Sequence, residues 1–363
     1  MQKIGQQTVE FNNLPQIISS ASLVGEKEFE GPLGEYFDEV LQDAYHGQNS
    51  WESAQIKMTE DVVDKVLTKV NFAQDQIDFL LAGDLLNQTI ASNFAARNFP
   101  ASFLGLYGAC STMIEGLGMA GLIVDGGAAD NALVVSSSHY QATERQFRTP
   151  NEYGDKYPPY KQRTVTGGGA VIISNQKGGV QVTEATFGKV VDLGVKDPQD
   201  MGAVMAPAAS DTILQHLADT GRDPDYYDLI ITGDLGEVGK KVTIDLLAEQ
   251  GCQVENNYDD CGVLIYNSQQ KVGAGGSGCG CSAVVAASYL LPQIMHNNYS
   301  KVLLLGTGAL LNPTINLQGE TIPGIAHAVA LENTGGLTQG IGRKDMRRDL
   351  TTSIENLSGV EEE

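Results

Sequence analysis

The sequence predicts an α/β protein built from two duplicated halves, each running β-α-β-α-β-α-β-β. Three observations carry this. Strand-like and helix-like segments alternate along the chain. Four segments of the first half find counterparts in the second, in the same order. Gly is abundant, at 42 of 363 residues, while charged residues make up only 19%, a profile of tight packing rather than disorder or coiled coil. The length corresponds to about two domains, or to one larger fold made of two halves, and lets about three quarters of the unfolded surface be buried.

In the first half, apolar runs predict strands at IDFLLAG (77–83), ASFLGLYG (101–108), NALVVSSS (131–138) and GGAVIIS (168–174), with helices near 52–69, 87–98 and 111–125. In the second, strands are predicted at 179–185, 227–233, 261–267, 301–308 and 326–332, with helices near 208–221, 240–250 and 281–296. IDFLLAGDL matches YDLIITGDL, each with a Gly-Asp pair just past the strand. ACSTM matches GCSAV, NALVVSSS matches KVLLLGTG, and GGAVIIS matches AHAVALE. The halves are therefore 1–177 and 178–333. Residues 26–50 and 140–163 read as surface excursions of the first half, and 334–363 as a mobile tail or docking segment.

Charge narrows the function. Lys plus Arg number 23 and Asp plus Glu 45, a formal net charge of −22. A nucleic-acid binder needs a basic footprint to displace phosphate counterions, so no nucleic acid is expected as a partner. An anionic membrane repels such a chain unless a partner protein does the docking. No apolar run reaches the ~18 residues of a membrane helix, and the best candidate, Cys281 to Leu291, stops at Pro292. The polar opening MQKIGQQTVEF lacks a signal-peptide apolar region. Five cysteines predict reduced thiols in a cytosol-like compartment.

Cys110, in YGACSTMIEG, falls where a strand ends and a helix begins, and Thr112 with Glu115 has capping-box spacing. A helix start lowers a thiol's pKa through its free amides and dipole, although an arbitrary Cys is more often a small buried residue. GLGMAG (116–121) matches GxGxxG, but its glycines lie inside the helix, so it is read as packing between two central small-residue helices. In VGAGGSGCGCSAV (272–284), consecutive small residues at a helix start free backbone amides for an anion, which brings in Ser277, Gly278 and Cys279. Cys279 and Cys281 form a lone C-x-C, which without clustered His or Cys supports no metal. Asp84 and Asp234 each follow a strand, as ligand contacts or as helix caps. His327 lies near a predicted core strand, where a structural role is the default. His139, Arg145 and Arg148 read as an exposed face.

A duplicated half with Cys110 opening its third helix resembles the thiolase superfamily, which includes ketoacyl synthases. The resemblance implies a thiolase-like fold, its halves forming five α-β-α-β-α layers, with Cys110 at the nucleophile. It places Gly233-Asp234 where condensing enzymes carry Asn or His, Gly276 to Cys279 where they carry Gly-His-Pro or Asn, and Thr307 where thiolases carry a second Cys. None of those partner side chains is present, so the condensing machinery looks dismantled. The strings AGDLLNQ, GACST, SSSHYQATERQFR, TEATFGKVVD, DMGAVMAPAASDT, AGGSGCGCSAVV and GTGALLNPT, with GIAH near 327, resemble the stage V sporulation protein AD family.

That resemblance implies a non-catalytic binding subunit of a sporulation transport complex, taking dipicolinic acid or its calcium chelate for uptake into the developing spore. It implies an intracellular, peripheral protein at the spore inner membrane, partnered by the complex's membrane subunits and able to form a homodimer. No cofactor is implied, and calcium enters only within the chelate. Dipicolinate is a flat ring with two carboxylates, which amides near Cys110 and Cys281 could accept, while Asp84 or Asp234 could offer oxygen to calcium. The rival reading is a thiolase or ketoacyl-synthase-type condensing enzyme with Cys110 as nucleophile and His327 as base. A third is a structural scaffold with a vestigial pocket.

Overall fold

Apolar runs rich in Val, Ile and Leu build two five-stranded sheets of identical topology. A computed structural model describes residues 1–147 and 158–333, so Arg148, the middle of the second excursion and the 334–363 tail lie outside the described residues. In the first half, β1 (Gln16–Val24), β2 (Phe79–Asp84), β3 (Ser102–Gly105), β4 (Asn131–Ser138) and β5 (Gly167–Ser174) pair in the order β3-β2-β4-β5-β1. In the second, β6 (Val180–Phe187), β7 (Leu229–Thr232), β8 (Tyr258–Asp260), β9 (Lys301–Ala309) and β10 (Gly324–Asn333) pair as β8-β7-β9-β10-β6. The senses repeat too. β2 is parallel to β3 and β4, and β5 antiparallel to β4 and β1. β7 is parallel to β8 and β9, and β10 antiparallel to β9 and β6. A short pairing of Gln16 with Gln181 and Ile17 with Val180 joins the two into one continuous twelve-stranded sheet, completed by the N-terminal hairpin Gln2–Ile4 and Thr8–Glu10, whose second strand pairs with β6.

Helices fill three layers around these sheets. α1 (Trp51–Val70) starts at Ser50, whose hydroxyl accepts from the Ser53 N–H, and ends at Asn71 in the left-handed conformation. With α2 (Ile90–Ala96) it covers the outer face of the first sheet, as α5 (Met201–Thr220) and α6 (Gly236–Glu249) cover the second. Between the sheets lie α3 (Thr112–Asp125) and α8 (Cys279–Val285), which continues through a π-helical turn at Ala286–Leu290 to Met295. This is a five-layered α-β-α-β-α fold. Three short helices border its loops: α4 (Tyr140–Phe147), α7 (Cys261–Leu264) and α9 (Pro313–Leu317).

The central layer explains GLGMAG. A Cβ on Gly116 would lie 2.5 Å from Val134 Cγ1 and one on Gly118 3.1 Å from the Phe187 ring, so these glycines set helix-to-sheet distance, while one on Gly121 would lie 2.8 Å from the Phe11 ring. The halves also interlock. Gly169 of β5 lies under α8, where a Cβ would stand 2.4 Å from the Ala283 carbonyl oxygen, and Gly306 of β9 lies 2.7 Å by the same measure from that of Ser111. Each sheet thus receives the central helix of the other half.

Four expectations need correction. Residues 261–267 are not a strand: β8 ends at Asp260, whose side chain accepts from the Val263 N–H and caps α7, and a short apolar run cannot by itself distinguish the two. Strand β1 is absent from the apolar-run reading because serines interrupt it. Those serines are satisfied internally, Ser19 by the Val66 carbonyl, Ser20 by that of Ala287 and Ser22 by Ser288. The 26–50 segment is not merely surface, since Glu28, Leu33, Phe37 and Leu41 are buried and Tyr266 donates to the Glu28 carboxylate. His139 is fully buried rather than exposed, bonded through Nε2 to the Ala44 carbonyl.

Candidate functional site

Cys110 sits on a 3-10 turn, Ala109–Ser111, that leads directly into α3. Ala109 holds φ 51°, a strained value for a residue with a Cβ, and the turn brings the half-buried Cys110 to a cavity of ≈ 240 Å³. The helix start is where the sequence places it, but the capping box is not formed: the Thr112 hydroxyl donates to the Ala109 carbonyl instead.

One carboxylate gathers most of the sequence-predicted residues. Asp234, fully buried at the turn after β7, accepts from the Thr307 hydroxyl (2.7 Å), the Gly278 N–H (2.8 Å) and the Ser277 hydroxyl (3.2 Å). Its charge also acts on the neighbouring Cys110 thiol. Burial pushes its pKa up to about 6 despite these donors. The Gly-rich loop does bind an anion, but the anion is the protein's own. The loop's other groups are likewise engaged, Gly280 N–H with Ser138 Oγ, while Arg163 and Val165 N–H donate to the Gly275 and Ser277 carbonyls. Gln162 braces the arrangement by donating to the Asp234 and Gly276 carbonyls.

The expected lowering of the Cys110 pKa is overturned. Burial first, and then the Asp234 charge, push this thiol far above its ordinary range, and only the Gly278 amide opposes them. Cys110 is therefore a neutral thiol at pH 7. We predict that iodoacetamide alkylates it at least about tenfold more slowly than a free thiol at pH 7.5, with the rate still climbing at pH 9. Peptide mass spectrometry reads this directly, and rapid labelling at pH 7 would contradict it.

The remaining predicted residues separate. Asp84 borders the cavity, but its Oδ1 accepts from Leu86 N–H and its Oδ2 from the N–H and hydroxyl of Ser92, so it braces α2. Cys279 is buried and donates to the Ser137 carbonyl, and Cys281 is buried in the central core. His327 lies on β10, accepts through Nδ1 from the Gly188 N–H, and is driven by burial down to about 4. It does not line the Cys110 cavity.

Sequence reasoning misses the cavity's outer wall. Besides Cys110 and Ser277, it is lined by the neutral side chains of Asn87, Gln88, Gln146 and Asn312, by Tyr107 and by Leu310, with no Lys or Arg among the described lining residues. Gln146 of α4 accepts from the Asn87 N–H and ties that wall together. Asp260 is a further omission. It accepts from the Leu235 and Gly236 N–H groups and from Thr232, fixing the turn that presents Asp234, and burial raises its pKa to about 7. Its signal in the sequence is an Asp one residue before an apolar run, the helix-cap position.

A family model described as stage V sporulation protein AD matches residues 5–332. The stage V sporulation protein AD of Bacillus subtilis (strain 168) is 49% identical over 336 residues, covering 93% of this chain and 99% of the relative. Among solved structures, the 3-oxoacyl-[acyl-carrier-protein] synthase III of Aquifex aeolicus VF5 aligns with a TM-score of 0.52 at 14% identity, over 88% of this chain and 99% of its own. The corresponding synthase III of Pseudomonas aeruginosa PAO1 aligns at 0.54, also at 14% identity, over 90% and 100%. At that identity the structural likeness concerns the fold alone.

Proposed function

The chain belongs to the stage V sporulation protein AD family, and from that premise we propose that it is a non-catalytic binding subunit of a sporulation transport complex. Its ligand is dipicolinic acid or the calcium chelate of that acid, taken into the Cys110 cavity for uptake into the developing spore. The observation that carries this reading is the carboxylate beside the thiol. A condensing enzyme needs a group there that accepts a proton from the nucleophile or donates to a thioester oxyanion. The Asp234 charge, after burial, instead raises the thiol's pKa and keeps it protonated, and no His lines the Cys110 cavity among the described residues.

The cavity suits a small flat molecule. At ≈ 240 Å³ it lies below the roughly 300–1,000 Å³ of drug-sized pockets, and Tyr107, exposed at its rim, offers a ring face. Neutral amides and hydroxyls along the wall favour a charge-cancelled chelate over a free dianion beside a −22 chain. The oxygens of Asp84 and Asp234 are already engaged, which supports calcium arriving inside the chelate. No helix among the described residues is long and apolar enough to cross a membrane, so attachment at the spore inner membrane falls to the complex's membrane subunits.

Calorimetry on the full chain tests this, with dipicolinate alone and with equimolar calcium. We expect saturable one-to-one binding, stronger for the chelate, weakened at least about fivefold by Tyr107→Ala and also weakened by Cys110→Ala. Absence of heat with both forms would sink the reading. An acyl adduct on Cys110 after incubation with acyl-CoA would favour the condensing enzyme instead.

A further inference from the structure

Beside the cavity mouth, two loops form a surface that the binding reading leaves unused. Residues 188–200 and 311–321 are laced together: Asn316 Nδ2 donates to the Lys196 carbonyl (2.9 Å), Lys196 Nζ to the Gly319 carbonyl (2.6 Å), and Ile322 N–H to the Val195 carbonyl (2.8 Å). On this rigid base four apolar side chains face solvent, Leu317 at 87%, Leu193 at 69%, Val190 at 55% and Ile315 at 47% exposure. Asp192, Asp197 and Glu320 stand exposed among them, outnumbering Lys189 and Lys196, the first of which is paired with Asp211. Such a patch calls for a basic segment with apolar side chains.

The chain carries one. In a molecule of net charge −22, Arg343, Lys344, Arg347 and Arg348 fall within six positions against the single Asp345, with Met346 among them and Ile341 and Leu350 on either side. The segment lies beyond residue 332, where the family match ends, and the relative's match takes in 99% of the relative but 93% of this chain. Reach is sufficient. β10 runs ten residues from Gly324, which bridges to Val191 at the patch, to Asn333, a distance of about 30 Å. The stretch from Thr334 to Arg347 can extend to about 45–50 Å.

We propose that the basic stretch Arg343–Arg348 docks in cis on the acidic-apolar surface formed by Asp192, Asp197 and Glu320 with Leu193, Ile315 and Leu317. The proposal does not depend on which ligand the cavity takes.

Zero-length carbodiimide cross-linking of the full chain tests it, because Lys344 can be coupled only to a carboxylate it touches. Equal amounts of ¹⁴N- and ¹⁵N-labelled chain are mixed first, so that links within and between chains are told apart by mass. The expected result is a Lys344 link to Asp192, Asp197 or Glu320 within one chain. Its yield falls about tenfold in 0.5 M salt, where charge attraction is screened within a few ångströms, and likewise in the Leu193→Ser/Ile315→Ser/Leu317→Ser chain, which keeps every carboxylate that could be coupled. Those three side chains are exposed, so the variant keeps its core. A link between chains only, a Lys344 link to other carboxylates or none, or a yield unchanged by the substitutions overturns the proposal.

Discussion

Asp234→Ala lowers the unfolding midpoint by about 6 °C and makes Cys110 react faster with alkylating agents. The substitution leaves the Thr307 hydroxyl, the Gly278 N–H and the Ser277 hydroxyl without their shared acceptor in a buried site. Unsatisfied buried donors cost about 1–3 kcal/mol each, less when neighbours relax together. A total of about 3 kcal/mol corresponds to roughly 6 °C in a chain of this size. The thiol responds because the Asp234 charge is second only to burial in raising its pKa. Thermal unfolding and iodoacetamide kinetics check both parts. The pH dependence has a defined sign. Asp234 is raised in the fold, from 3.8 to about 6, so its titration stabilises the folded state at acid pH, and that contribution is lost as pH rises through about 6. The midpoint gap between parent and variant is therefore wider at pH 5 than at pH 8, by roughly 1 kcal/mol in free energy. A gap that widens toward pH 8, or an unaltered midpoint, would show that Asp234 does not hold the site together.

Why the sequence reveals the frame and not this centre follows from what a repeat preserves. Matched strings report strand order: three of the four matched pairs fall on corresponding strands, and the fourth falls on the central helices α3 and α8. The start of α3 beside Cys110 and the packing role of GLGMAG are also legible, since each depends on residues close in sequence. Side-chain direction is not. Asp84 and Asp234 occupy the same place in the repeat and look equivalent, yet Asp84 turns back onto its own helix through Ser92, whereas Asp234 turns inward to Thr307 and Gly278. The difference arises because Asp260, from the end of β8, accepts from the Gly236 N–H, the position that matches Leu86 in the first half. That frees Asp234 to serve as an internal anion. Its partners are separated by 43 to 124 positions in the chain, as in Ser277–Asp234 and Cys110–Asp234, and no periodicity links them. The same limit hides His139 inside the fold and sets His327 apart from Cys110.

Neither half is expected to fold alone. The proposed boundary between residues 177 and 178 lies in the loop between β5 and β6, where a cut opens no strand or helix. The central core, however, is shared. Met113, Ile114, Leu117 and Val171 of the first half pack in one cluster with Val284, Leu290, Leu304 and Val329 of the second. Separating the halves exposes all of these, and each buried side chain of this kind is worth roughly 1.5–3 kcal/mol. That loss exceeds the roughly 5–15 kcal/mol by which whole domains are stable. Interlocking deepens the dependence, because Gly169 and Gly306 lack side chains in order to admit the opposite half's helix, and each would otherwise face an empty groove. Residues 1–177 and 178–363, expressed separately, are expected to show no cooperative thermal transition, while mixing them restores one, with the near-ultraviolet dichroism of packed aromatic rings. A cooperative transition in either fragment by itself would mean that the duplicated units remain independent domains and that the Cys110–Asp234 site, which needs residues from both, is only a contact between them.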